Sequence, residues 1–432
     1  MKYLCLLIIA LAFTACISDD ISTSPSDLPE FSSDSIALGD IWVDECSPNG
    51  ALTIYNRNSA GIVISSVAVT GRDADLIRIN LDGAPLEHFA PVEIRQNDSV
   101  LLLAAAVPQV GGKIDAAVTL TVNSVSLTIP LAANVRQPLV LRDHTVSSSL
   151  SLSGEVRVFG TLEVEQGATL DIRPGTVMYM HDKAQLIVNG SLVAEGTPGN
   201  PVTFCGDRFG FIAADIPYAI LPGQWRGVTV NSAGDNTVSY TSIINSEAGL
   251  TIGENASLDL VNCCVANARE NLVSLEPGAA LTAAGCQFSE AARSVLALSD
   301  ASASLYRCTI ANSYLFAAPS AAAVALSGHS ELSVESSILY RPGGELSLSG
   351  ASVARFSNTL FGSKGSDDDA FISCLWAADP MFLIDLEKYS FDYRLAPDSP
   401  ARKHSTQASH SYLPLDRFGT PAPDPAPLGA YN

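Results

Sequence analysis

Basic residues are scarce in this chain. Lys and Arg number 24 against 45 Asp and Glu, a formal charge of −21. A chain this acidic has no basic face with which to neutralise phosphates, and nucleic acid is excluded as a partner class. Anionic headgroups would repel it too, so any membrane attachment must come through an anchor rather than a charged surface. Charged residues make up only 16% and aromatics 7%, while hydrophobic residues reach 47% of 432. That balance supports a core and excludes a disordered chain. Past Arg136 helical periodicity of useful length is missing. The whole chain lacks a Walker loop, a dinucleotide fingerprint, an HExxH helix and a GxSxG elbow. The six His residues (88, 144, 181, 329, 404, 410) are scattered. His329 sits beside Ser330 and Glu331, but neighbours on a strand alternate faces, so they form no triad. No cofactor is expected.

The first sixteen residues, MKYLCLLIIALAFTAC, hold a lone Lys2, an apolar run from Leu4 to Phe13 and small residues before Cys16. The run falls short of the ~20 residues a bilayer span needs and reads as a secretory signal over 1–15. FTAC resembles a bacterial lipobox, matching at Ala15 and Cys16 and departing at Phe13, where an aliphatic residue is usual. The resemblance implies that Cys16 is lipidated; acyl chains contribute about 0.8 kcal/mol per buried CH₂. Residues 16–35, acidic and rich in Ser and Pro, read as a flexible tether. Asp19 and Asp20 directly after the cysteine resemble the export signal of Bacteroidetes-type surface lipoproteins. The location these features imply is the cell envelope, lipid-anchored to the outer membrane and exposed at the surface.

Residues 36–136 hold seven short alternating stretches between turns: ALTIYN, GIVISSVAVTG, LIRINL, VEIRQ, SVLLLAAAV, AAVTLTVN and VSLTIPLAANV. Seven such strands in ~100 residues predict an immunoglobulin-like β-sandwich. Their order resembles bacterial Ig-like domains that lie between a lipid anchor and a larger module. No compact group of His, Cys or carboxylates stands out in them, so a spacer is the expected role. Cys46 is alone and is expected to be a buried thiol.

From 137 to 432 the rhythm changes to a repeat. Aligned on YTSII, NCCVA, GCQFS, RCTIA, SSILY and SNTLF, the anchors are Thr241, Cys263, Cys286, Cys308, Ser336 and Asn358. Their spacings are 22, 23, 22, 28 and 22, and each is followed two positions later by Ile243, Val265, Phe288, Ile310, Ile338 or Leu360. A period of this length without helices predicts a solenoid of short strands, a right-handed parallel β-helix. Residues one period apart stack ~4.8 Å from each other. The apolar member must face inward, and so must the small anchor two residues before it. A disulfide between Cys286 and Cys308 does not fit, because that spacing exceeds the ~3.8 Å mean Cβ separation of a disulfide. A linear ladder is also the wrong shape for tetrahedral zinc. The thiols are expected to be free and buried, with Cys264 pointing outward. The long interval places about six extra residues in SYLFAAPSAAAV, where Tyr314, Leu315 and Phe316 form a candidate apolar outcrop.

GTLEVEQGATLDIRPGTVMYM, LIVNGSLVAEGTPGNPVTF, GQWRGVTV and TSIINSEAGLTI resemble the opening rungs of right-handed parallel β-helix repeat proteins related to pectate lyase-like folds. DPMFLIDLEKYSFDYRLAPDSPA and LDRFGTPAPDPAPLGAYN, within about 375–432, resemble the closing segment of many bacterial secreted members. The chain departs from them at Arg402-Lys403-His404, where an aliphatic-acidic pair is usual, and at the terminal Asn432. Catalytic members carry carboxylates on adjacent rungs, holding Ca²⁺ or flanking a glycosidic bond. Here no two Asp stack at one period, and pairs such as Glu270 with Arg293 read as surface ion pairs. Asp367, Asp368 and Asp369 are the metal candidates, read as a solvated turn. Trp225, Tyr314 and Phe316 are the candidate ligand contacts; for Trp225, packing of an early rung competes with sugar stacking. The expected function is non-catalytic binding of an extended polysaccharide or protein partner. The alternatives are a polysaccharide lyase or glycoside hydrolase, and a structural module of a surface assembly.

Overall fold

The computed structural model describes residues 20–213, 216–404 and 413–432. The molecule is nearly all β, with 4% helix and 49% strand. It divides into two compact units, Met1–Gln137 and Pro138–Asn432.

In the first unit, alternation does what the pattern implies. Ala117–Val122 buries every second residue, and Val118, Leu120 and Val122 enter one core with Leu52, Ile54, Ile62, Ile64 and Leu102. One sheet orders Glu30–Phe31, Gly50–Tyr55, Ser99–Ala106, Ile77–Leu81 and Ala84–Pro85, all antiparallel. The other orders Ile36–Trp42, Val125–Arg136, Ala117–Val122, Ile62–Thr70 and Val92–Ile94. Its one parallel pair joins Ile36–Trp42 to Val125–Arg136. Residues 20–35, expected to be a flexible tether, are instead tied down along much of their length. Ser22 N–H donates to the Gly61 carbonyl, Asn123 Nδ2 donates to the Ser24 and Asp27 carbonyls, and Asn58 Nδ2 reaches Leu28. Polar composition is no bar to order when neighbouring amides take up the backbone carbonyls. Cys46 is exposed, not buried.

The second unit stacks short parallel strands at the sequence period, the connectivity of a β-helix solenoid. From Thr241 onward each turn adds one strand to each of three parallel ladders. The first runs through Thr241–Ile244, Cys264–Ala268, Gln287–Ala291, Thr309–Ala311, Ile338–Tyr340 and Leu360–Phe361. The second runs through Leu250–Ile252, Val273–Leu275, Leu296–Ser299, Val324–Ser327 and Leu346–Leu348. The third runs through Ser257–Val261, Ala280–Ala284, Ser302–Tyr306, Glu331–Glu335 and Val353–Ser357. One apolar core fills the coil; Val265, Phe288 and Ile310 stack in it beside Leu258, Leu281 and Leu332. Full burial of each such side chain contributes about 1.5–3 kcal/mol. Past the last full turn, rings pack across the coil's end: Phe361 stacks on Trp376 at 4.6 Å and Phe356 on Phe371 at 5.2 Å.

Candidate ligand-binding site

The periodic anchors turn out to be a corner device. Strand register aligns Thr241, Cys263, Cys286, Cys308, Ser337, Thr359 and Cys374. Each side chain donates to the carbonyl two residues back: Thr241 to Ser239 at 3.0 Å, Cys263 to Val261 at 3.3 Å, Cys286 to Ala284 at 3.4 Å. Cys308, Ser337, Thr359 and Cys374 repeat the bond. Two of these side chains also accept from the rung before, Cys286 Sγ from Cys263 N–H and Ser337 Oγ from Cys308 N–H. Two expected anchors are therefore one residue off. Ser336 and Asn358 occupy the preceding left-handed corner, at φ 50° and 46°, with Arg307 and Asn262 on other rungs. The inward small residues there are Ser337 and Thr359, and the apolar members are Leu339 and Phe361. Cys263, Cys286 and Cys308 are free and buried. Burial pushes the Cys263 and Cys286 thiols well up, which makes them inert.

Cys264 points out of the coil as expected but is buried, because the closing segment lies across the outer face of the first ladder. Its Ala430 and Tyr431 join Ala311 and Tyr393 in a second apolar cluster outside the coil. Between this segment, the stretch Ala219–Ile220 and the Leu315–Phe316 insertion, a cavity of about 350 Å³ remains open. Its floor is Cys264, Ala266, Gln287 and Glu290.

Glu290 is the chemically distinctive group of that floor. It aligns with Asn245 and Asn267 on the rungs before it, and all three hold left-handed backbone, at φ 66°, 64° and 57°. Asn tolerates that region because its short amide bonds locally; Glu does so rarely. The two Asn serve the wall: Asn245 Nδ2 donates to the Ala219 carbonyl at 2.8 Å, and Asn267 Nδ2 to Ile220 at 2.6 Å and to Asn245 Oδ1 at 2.8 Å. Glu290 instead accepts from the Tyr393 hydroxyl. Burial raises its pKa to about 7, against the opposing pull of the Tyr393 and Ser289 hydrogen bonds. Burial also pushes the Tyr431 hydroxyl up, and that hydroxyl donates to Gln287 Oε1. Arg417 lines the same cavity, its Nη2 2.8 Å from Ser242 Oγ. On the rim Asp392 and Arg394 form a pair at 2.9 Å.

Other candidates fall elsewhere. Trp225 is 1% exposed, stacks near Phe204 and donates Nε1–H to the Ile244 carbonyl, so no ring face is open to a sugar. Phe316, 43% exposed, lines the cavity, and Tyr314 braces it edge-on at 5.8 Å. Asp367 accepts from Cys374 N–H and Trp376 Nε1–H, and Asp368 from Ala370 and Phe371 N–H. Those carboxylates cap a turn; no metal-competent group of His, Cys, Asp or Glu occurs among the described residues. Cys16 lies outside the described residues. Sequence reading missed a cluster on early rungs: Asp207 takes the Arg157 guanidinium at 2.7 Å and His181 Nδ1 at 2.8 Å, and His181 lies 4.4 Å from Phe159. Its members stand on adjacent rungs, Arg157 and Asp207 both buried, as a clamp would be.

What the fold and site define is a parallel-strand solenoid with a walled cavity on an outer face. No protein family matches the chain, and no curated protein is similar to it.

Proposed function

We propose that this is a lipid-anchored protein of the bacterial outer membrane surface, binding an extended polysaccharide or protein partner without turning it over. In this reading Cys16 carries the anchor and the first unit is an Ig-like spacer. The second unit is a right-handed parallel β-helix of the pectate lyase-like kind, and it presents the binding face. The observation that carries the reading is the outward strip of the third ladder. Ser151, Asp171, Val193, Thr237, Asp259, Thr282, Ser304, Ser333 and Arg355 follow one another rung by rung. The strip is continuous and, Val193 and Arg355 apart, made of short polar residues, which suits an extended chain. Its two carboxylates, Asp171 and Asp259, are three rungs apart. That is roughly 14 Å at ~4.8 Å per rung, beyond the ~5–9.5 Å that glycoside hydrolysis uses.

The test is a screen of the purified full chain against neutral and acidic polysaccharides, with and without Ca²⁺. Binding without product, lost in Thr282→Glu/Ser304→Glu, is the expected result. Product formation would overturn it and favour the second reading, a polysaccharide lyase or glycoside hydrolase. Glu290 supports that alternative: a buried carboxyl near pH 7 in a cavity is the usual profile of a general acid. Neither binding nor product would leave the structural-module reading.

A further inference from the structure

We propose that the walled cavity is a separate binding site for a small organic carboxylate with an apolar body, its anionic end held by Arg417 and its body by the insertion. It does not rest on the strip, which belongs to the third ladder. Arg417 lines the cavity, and its partners are the Ser242 hydroxyl, the Tyr431 hydroxyl and the Cys264 thiol, all neutral. Among the described residues no ion pair to a carboxylate forms at Arg417, whereas Arg157, Arg293 and Arg394 each have one. Arg417 is part-buried, its side chain faces only neutral groups and the Phe418 ring at 5.3 Å, and a bound anion would supply the counter-charge that they do not. Ile220, Leu315, Phe316, Phe391 and Phe418 supply apolar wall. A volume of about 350 Å³ is at the small end of ligand pockets, so it fits a compact molecule rather than a polymer segment. The chain's charge of −21 gives anions no general attraction, so recognition has to be local.

Glu290 then acts as a gate on affinity. Below about pH 7 it is neutral and bonded with Tyr393, and the Arg417 charge dominates the cavity. Above that pH it ionises and opposes an anion. The groups facing it are Tyr393, Ser289, the Ser313 N–H and Cys264; Tyr431 and Arg417 line the same cavity, and Asp392 and Arg394 cancel each other on the rim.

The probe is phenylacetate, titrated calorimetrically into the full chain at pH 6 and pH 8, with benzyl alcohol as its neutral counterpart. Phenylacetate is expected to bind about ten-fold tighter than benzyl alcohol at pH 6, the worth of one charge-assisted contact, and more weakly at pH 8. Arg417→Met should erase the preference, Glu290→Gln should erase the pH difference, and Phe316→Ala on the exposed insertion should weaken both ligands. No binding of phenylacetate, equal affinity for both probes, or unchanged affinity in Arg417→Met or Phe316→Ala overturns the assignment. Because Phe316 is exposed, its variant keeps the test decisive even if Arg417→Met misfolds.

Discussion

Two ladders run along the same strands of the second unit, only a few residues apart. The inward one passes through Thr241, Cys263, Cys286, Cys308, Ser337, Thr359 and Cys374, and every member performs the same short hydrogen bond to the carbonyl two residues back. The outer one begins as Asn245 and Asn267, bonded to each other, and then changes type at Glu290. In the first, three residue types are interchangeable because the position asks only for a small side chain with one donor. In the second, replacing an amide by a carboxyl abandons the local bond and puts an ionisable group on the floor of a cavity. Chemical uniformity along a solenoid marks architecture; a break in it marks the place where something else is selected.

The sharpest break of the inward side is Phe288→Ala, which empties a fully buried position. It should cost the second unit about 3–5 kcal/mol, read as a lower urea midpoint. Two residues along the strand, Glu290→Gln should do the opposite at high pH. A carboxyl whose folded pKa is raised from 4.5 to about 7 binds its proton more tightly in the folded state. Stability is therefore full below pH 4.5 and lost progressively as pH rises to about 7. The loss is on the order of 3 kcal/mol. Gln carries no such penalty, so the variant's stability should stay flat over that window. A wild-type midpoint that does not fall between pH 4.5 and 7.5 would contradict the buried-acid description.

Much of the inward ladder was legible from spacing, because each rung repeats a size constraint at a fixed interval. Reading failed by one residue at Ser336 and Asn358, where Ser336–Ser337 and Asn358–Thr359 each offer two small polar residues side by side. Only backbone conformation separates them, the first of each pair being left-handed. The burial of Cys264 was not legible at all. It depends on the closing segment, more than 110 residues later in the chain, lying over the first ladder, and that packing has no period. Glu290 carried no local signal either. It was one acid among several until register aligned it with Asn245 and Asn267. The Leu315–Phe316 outcrop was visible as an interval anomaly, and it does border the cavity.

A smaller test sharpens the outer ladder. Asn267→Ala removes bonds to Ile220 and Asn245 and places a Cβ residue without an amide in left-handed backbone. Each lost bond and the backbone contribute about 1 kcal/mol, so a loss of about 2–3 kcal/mol in urea unfolding is expected. Asn267→Gly should recover the backbone share alone. If Gly and Ala cost the same, the left-handed corner is not what selects Asn there.

The smallest effect belongs to the cysteines themselves. Cys286 donates to Ala284 at 3.4 Å and accepts from Cys263 N–H at 3.4 Å. Serine offers the same donor and acceptor in slightly less volume, and Ser337 already performs both roles on a later rung. Cys286→Ser should therefore shift stability by less than about 1 kcal/mol. Cys286→Val keeps the size but deletes both bonds, leaving a buried N–H on Cys263 without that acceptor, so a loss of about 1–3 kcal/mol is expected. The order Cys, Ser, then Val, measured by urea midpoint, separates a corner hydrogen bond from simple hydrophobic filling. If valine proved as stable as cysteine, the thiols would be there for volume alone, and the interchange with Thr241, Ser337 and Thr359 would need another explanation.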